Sequence, residues 1–192
     1  MKSDMRVMVS KRMLKEGMLK CLESKPLSKI TVSDLCRESG INRTTFYNHY
    51  DSPTMVINDI CREYAEKIIQ IYIDNLSVHN INNDDAALEA CLTYILGVKS
   101  FVKVLFSKNA EHCLAGFAME IIEEIASSNS MHMESYDEHI LLASTSAATV
   151  YGFIQTWITS DIDKTPKQLV AVLKRCFRTE YAFEIIPKYA KK

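Results

Sequence analysis

Residues that interrupt helices are scarce in this chain: 192 residues hold only 5 glycines and 4 prolines. Disordered or strand-and-turn architectures usually need more of both, so the composition, 47% hydrophobic and 24% charged, points to a compact all-α protein. Six cysteines, Cys21, Cys36, Cys61, Cys91, Cys113 and Cys176, include no CxxC pair. Lys and Arg interrupt the first 25 residues throughout, so no secretory signal is expected, and the thiols suit a reducing cytoplasm. No apolar run approaches the roughly 20 residues needed to cross a bilayer, and no membrane span is expected. A Walker loop, a GxSxG elbow, an HExxH helix and a dinucleotide-binding glycine fingerprint are all missing, and the acidic run Glu120 to Glu124 fits a solvated helix face. Enzyme activity and bound cofactors are therefore not expected.

Charge is present but unevenly placed. Residues 1–50 carry ten Lys and Arg against five Asp and Glu, a local charge of +5, which leaves −6 for the remainder of a chain whose net charge is −1. A basic segment favours a polyanion by counterion release, whereas an acidic body is repelled by phosphate.

The apolar positions Val7, Met8, Leu14, Met18, Leu19 and Leu22 predict a first amphipathic helix, stopped at Ser24-Lys25-Pro26. Thr31 is the expected N-cap of a short helix over Val32 to Ser39, with Asp34 at its third position, and Gly40 supplies the left-handed turn that ends it. A third helix is expected from Asn42 or Arg43 to His49. Asp51 or Ser52 then caps a fourth, with Pro53 in its first turn. Ile57, Ile60, Tyr64, Ile68, Ile71 and Tyr72 extend that fourth helix, and Ser77 to Asp85 breaks it. Further helical patterns cover about 85–106, 109–128, 135–160 and 166–180.

The segment T-V-S-D-L-C-R-E-S-G-I-N-R-T-T-F-Y-N-H-Y, Thr31 to Tyr50, therefore reads as a helix-turn-helix. In such a unit one helix braces a second, whose polar side chains enter a major groove about 12 Å wide. Ile30, Leu35, Ile41 and Phe46 are the expected bracing core. Asn42, Arg43, Thr44, Thr45, Asn48 and His49 remain for DNA, and Arg43 is the strongest candidate because guanidinium binds guanine or phosphate in a bidentate way.

This unit resembles the N-terminal region of the TetR family of transcription regulators. Thr31, Asp34, Gly40, Thr45, Phe46, Tyr47 and Tyr50 follow the family's order of a Thr-capped helix, a glycine turn and aromatic residues closing the recognition helix. The resemblance covers about residues 10 to 60. It implies phosphate contacts from Thr31 and Tyr47, with Arg43, Thr44, Thr45 and Asn48 nearest to base edges. Where the family often has Lys at the start of the fourth helix this chain has Pro53, which leaves main-chain amides as the groups for phosphate there.

The expected organisation is an N-terminal three-helix DNA-binding domain, 1–52, followed by a larger helical ligand-binding and dimerisation domain, 53–192. The region around Val150 to Thr159, with Thr165-Pro166-Lys167-Gln168-Leu169, is similar to the C-terminal region of a Gram-positive subset of such regulators. The resemblance implies a homodimer through the last two long helices, with Val150, Ile154, Trp157, Ile158, Leu169, Leu173 and Phe177 as interface candidates. The same residues equally suit the chain's own core. Tyr94, Phe101, Phe106, Phe117 and Met119 are candidates to line an apolar ligand pocket, with core packing as the plainer alternative. His112-Cys113, His132-Met133 and His139 lack the spacing of a zinc site, and no metal is expected. The function implied is that of a cytoplasmic, homodimeric repressor on a palindromic duplex operator, released by a small-molecule inducer. The alternatives are a regulator governed by a protein partner or lacking ligand response and, from another class, a helical metal-binding or enzymatic protein.

Overall fold

A computed structural model describes residues 2–76, 84–110, 117, 118, 121 and 136–177. Its described elements are helices, with no strand among the described residues: α1 (Lys2–Ser24), α2 (Val32–Ser39), α3 (Arg43–Tyr47), α4 (Pro53–Asn75), α5 (Asp85–Gly97), α6 (Lys99–Leu105), α7 (Tyr136–Thr159) and α8 (Pro166–Cys176). Short 3-10 turns occupy Leu27–Lys29 and Lys108–Ala110.

Several boundaries follow from single residues. The side chain of Ser24 and the N–H of Lys25 both donate to the Cys21 carbonyl as α1 ends ahead of Pro26. Thr31 and Asp34 form a reciprocal capping box at the start of α2, and Gly40 ends it at φ 69, in the left-handed region. Thr165 and Gln168 repeat the capping box at α8, with Pro166 in the first turn.

Three expectations need correction. The third helix stops at Tyr47, short of His49: the Phe46 carbonyl accepts N–H groups from both His49 and Tyr50, closing a tight last turn. The pattern over 85–106 is two helices, because α5 ends at the poor helix former Gly97 and Val98 leaves helical geometry at φ −114, ψ 22. The last helix ends at Cys176, with Phe177 as its C-cap. Of the helix expected over 109–128, Lys108–Ala110 is a 3-10 turn, Phe117, Ala118 and Ile121 are helical, and the rest lies outside the described residues, as does most of Ser77 to Asp85.

The chain packs as two compact units. The first comprises residues 1–64 and 100–117, the second residues 65–99 and 118–192. One continuous core underlies the first: Leu14, Met18 and Leu22 of α1, Ile30, Leu35, Phe46, Tyr50, Val56, Ile57 and Ile60, joined by Leu105 and Ala110. The four expected bracing residues all belong to it, Ile30, Leu35 and Phe46 as buried members and Ile41 packed against them. In the second unit, Tyr72, Ala87 and Cys91 form a smaller core with Ile68, Ile71, Leu76 and Leu88, and α5 packs on α8. Burial pushes the Cys91 thiol up to about 12, so it stays protonated at neutral pH. The domain division expected at 52/53 is one of role, whereas these units are divisions of packing. No described helix is long and apolar enough to cross a membrane.

Gly17 sets the distance between α1 and α2. A Cβ placed on it would lie 3.0 Å from both the Cβ and the backbone N of Ser39, the last residue of α2. Alanine is the better helix former by about 0.8–1 kcal/mol, but forcing a methyl against backbone costs about 1–3 kcal/mol. Gly17→Ala is therefore expected to destabilise the protein by about 1 kcal/mol in urea denaturation. A stabilised variant would show that α1 and α2 separate without cost.

Candidate nucleic-acid interface

The helix-turn-helix begins at α2, whose start is held by a dense set of bonds to one carboxylate. Asp34 accepts from the backbone N–H of Thr31 at 2.9 Å, from the Thr31 hydroxyl at 2.7 Å and from Lys25 Nζ at 2.8 Å. Arg37 adds a fourth donor at 3.2 Å. The Lys25 bond first, and then the two bonds from Thr31, hold the Asp34 carboxyl well below the ordinary aspartate value of 3.8. At the far end of α2, the buried Ser39 hydroxyl donates to the Leu35 carbonyl and accepts from Ile41 N–H at 3.3 Å, bracketing the Gly40 turn.

Beyond that turn Asn42 caps α3, its Oδ1 accepting from Thr45 N–H at 2.8 Å. Phe46 is fully buried and anchors the inner side of α3. On the outer side, Arg43 and Tyr47 share one helical row and Thr44 and Asn48 the next, and all four are exposed, Tyr47 by 57%. The Tyr47 ring stands edge-on to Phe46, with centroids 5.3 Å apart and planes at 85°. Arg43 Nη2 donates to the Ser33 hydroxyl on α2 at 2.5 Å.

The structure thus brings together Asn42, Arg43, Thr44, Tyr47 and Asn48 as one exposed stretch. Thr45 and His49 are half-buried, His49 in the turn past α3. Thr31 is exposed, though its hydroxyl is engaged in the capping box. Pro53 opens α4, and the N–H of Met55 donates back to the Ser52 carbonyl.

A second polar cluster, not foreseen from spacing, locks the end of the helix-turn-helix to α1 and α4. Tyr50 donates to Asp59 Oδ2 at 2.5 Å, Lys15 lies 3.2 Å from the same oxygen and bonds Glu63, and Lys11 Nζ stands 5.4 Å from the Tyr50 ring centroid. Burial, then the Asp59 carboxylate, drives the Tyr50 phenol far above its ordinary value. Burial opposes the charge of Lys15, but its bonds to Glu63 and Asp59 outweigh that and raise its pKa. The partners are 44 and 48 positions away from Lys15, beyond the reach of helical periodicity.

In the second unit, Ile154, Trp157, Ile158, Leu169 and Leu173 are all buried within the chain itself, Trp157 at 2% exposure. Val150 is half-buried on their side of α7, and Phe177 is 48% exposed. Of the pocket candidates, Phe101 stacks on Tyr64 at 4.1 Å and, with Phe117, packs against the first core. Phe106 is half-buried in the first unit and Tyr94 half-buried in the second, while Met119 lies outside the described residues. His112, Cys113, His132 and Met133 also lie outside them, as does the side chain of His139. No group of three or more His, Cys, Asp or Glu suited to a metal occurs among the described residues.

A depressed carboxylate pKa has a defined signature. The stability Asp34 contributes is fully present above its ordinary value of 3.8 and is lost as pH falls through the lower folded value. Unfolding midpoints measured from neutral to acid pH are expected to fall below about pH 4 in the wild type. Asp34→Asn should start lower at neutral pH and show a shallower acid decline. Parallel curves would remove the proposed clamp.

Comparison with known proteins agrees with this geometry. The TetR-type transcriptional regulator C-terminal region matches residues 82–179, about half of the chain. The HTH-type transcriptional regulator YxbF of Bacillus subtilis is 29% identical over 111 residues, 56% of this chain and 28% of that protein. AlkX, an HTH-type transcriptional regulator of Mycobacterium tuberculosis, is 25% identical over 149 residues, 77% of this chain and 64% of its own. The chain thus spans less than two thirds of either relative. In fold it is similar to a TetR transcriptional regulator from Streptococcus agalactiae, with TM-score 0.63 at 15% identity over 90% of this chain and 96% of that one. A helix-turn-helix on a three-helix core, followed by a helical region of this kind, identifies the chain as a member of the TetR family of transcriptional regulators.

Proposed function

We propose that the protein is a homodimeric repressor that reads a palindromic duplex operator through α3 and leaves it when a small molecule binds the C-terminal body. The observation that carries the DNA reading is the exposed row of Arg43, Thr44, Tyr47 and Asn48 on a helix whose opposite side is anchored by Phe46. Short polar groups on a braced helix are what major-groove recognition requires, and N-terminal residues of such a helix approach base edges. Arg43 and Thr44 are then the base-reading pair, with Asn48 beside them. Tyr47 and Thr31 contact phosphate, and Asn42, Thr45 and His49 line the edges of the interface. The protein acts in the cytoplasm and catalyses no reaction.

A palindrome needs two recognition helices about 34–36 Å apart, hence a dimer. The pairing helices proposed are α7 and α8. Because the inward candidates are occupied by the core, the second copy meets the opposite face of α7: Leu141, Thr145, Ala148 and Gly152 fall in one row there. Leu141 is 67% exposed, and a Cβ on Gly152 would meet nothing within 4 Å. Phe177, at the end of α8, adds to this surface. An inducer lowers operator affinity by as much as it prefers the dimer whose head spacing misfits the DNA.

Arg43→Ala is expected to cost about 1–3 kcal/mol of operator binding and relax selectivity, and Tyr47→Ala to weaken all duplexes and flatten the salt dependence. Both variants should sediment as dimers. Unchanged affinities at controlled salt would refute the DNA surface. Gly152→Arg, conversely, is expected to yield folded monomers with weak operator binding. A dimer that persists would exclude the outward face of α7.

A further inference from the structure

The recognition helix holds one side chain by a bond that the proposed contacts do not use. Arg43, the first residue of α3, donates from Nη2 to the hydroxyl of Ser33 on α2, although both residues are exposed. Ser33 cannot drift. It sits in the first turn of α2, between Thr31 and Asp34 of the capping box and two residues ahead of the fully buried Leu35. Its backbone is thus held in place, with the hydroxyl within reach of Arg43 at the start of α3.

An exposed arginine normally samples many rotamers, and binding must remove that freedom. Tethering one end of the guanidinium restricts it in advance, while the remaining N–H groups of the fork stay available as donors in a set plane. A planar pair of donors matches the O6 and N7 acceptors of guanine, whereas a phosphate accepts from many directions and gains little from a fixed plane. We propose that Ser33 is a positioning residue that determines specificity, aiming the Arg43 fork at a guanine edge. This rests on the reading of α3 as the DNA-recognition helix.

The test uses duplexes selected by the full-length wild-type protein from a random pool, with their single-base variants and a scrambled duplex, all at one salt concentration. Anisotropy titrations compare wild type with Ser33→Ala, Ser33→Thr and Arg43→Ala, and thermal melts confirm folding. Ser33→Ala should lose about two- to tenfold of its discrimination at one base pair per half-site, the pair at which Arg43→Ala loses nearly all of it. Binding to the scrambled duplex and the melting temperature should not change, and Ser33→Thr should restore discrimination.

The inference is overturned if Ser33→Ala discriminates as the wild type does. It is equally overturned if that variant binds the selected duplex more tightly, because the tether then competes with DNA. A uniform loss on every duplex, the scrambled one included, would assign Arg43 to phosphate. Arg43→Ala behaving as wild type on every duplex would instead defeat the reading of α3 itself, a result separable from failure of Ser33 alone.

Discussion

The close approach of α1 to the end of α2 at Gly17 is the constraint on which the geometry of the helix-turn-helix depends. With no Cβ at Gly17, the backbone of Ser39 comes within a methyl's reach of α1. Ser39 is thereby buried, and its hydroxyl spans the turn from the Leu35 carbonyl to Ile41 N–H. Gly40 reverses the chain there in a left-handed conformation that would be strained for a side-chain-bearing residue. The angle between α2 and α3 therefore comes from two small residues and one hydroxyl, and the burial of Leu35 and Phe46 in the shared core holds it.

Electrostatics reinforces the same frame more than it decorates the surface. The N-terminal excess of positive charge looks, by count, like a footprint for phosphate. Yet Lys25 and Arg37 are bound to Asp34, and Lys11 and Lys15 are drawn to Asp59. These cations are spent in part on fastening α1, α2 and α4 to each other. Their long-range field still favours a polyanion, but they are engaged at short range, which leaves the outer row of α3 as the surface for the proposed DNA contact. The two clusters also divide the work: Asp34 fixes the entry to the helix-turn-helix, and Asp59, through Tyr50, fixes its exit.

Local chemistry was legible in the chain where the decisive partners are near in sequence. Thr31 with Asp34, Gly40, Asn42 and Pro166 each act within four residues, and the helices they bound follow from capping and turn rules. What stayed hidden is what joins distant segments. Arg43 to Ser33 crosses a turn, Tyr50 to Asp59 crosses a helix boundary, and Asn109 to Leu22 spans 87 positions. Periodicity also cannot say which of two faces looks inward. On α7, Ile154, Trp157 and Ile158 form an apolar row that fits a core or an interface equally. Only packing assigns it to the core and leaves Leu141, Thr145 and Ala148 exposed.

The same long-range packing ties a distant stretch of chain to the helix-turn-helix. Residues 100–110 and 117 lie in the stretch expected from the sequence to belong to the C-terminal domain, yet they pack in the first unit. Leu105 and Ala110 share its core, and Asn109 Nδ2 donates to the Leu22 carbonyl at 2.8 Å, in the last turn of α1. Phe101 stacks on Tyr64 of α4, one residue from the Glu63 that bonds Lys15. The core that holds α3 is therefore completed by this segment. A close-packed core does not deform continuously, so displacing the segment means breaking the Asn109 bond and repacking Leu105 together. A ligand can shift that balance only by its differential affinity for the two packings. Sequence position alone thus understates how directly residues 100–110 bear on the geometry of α3.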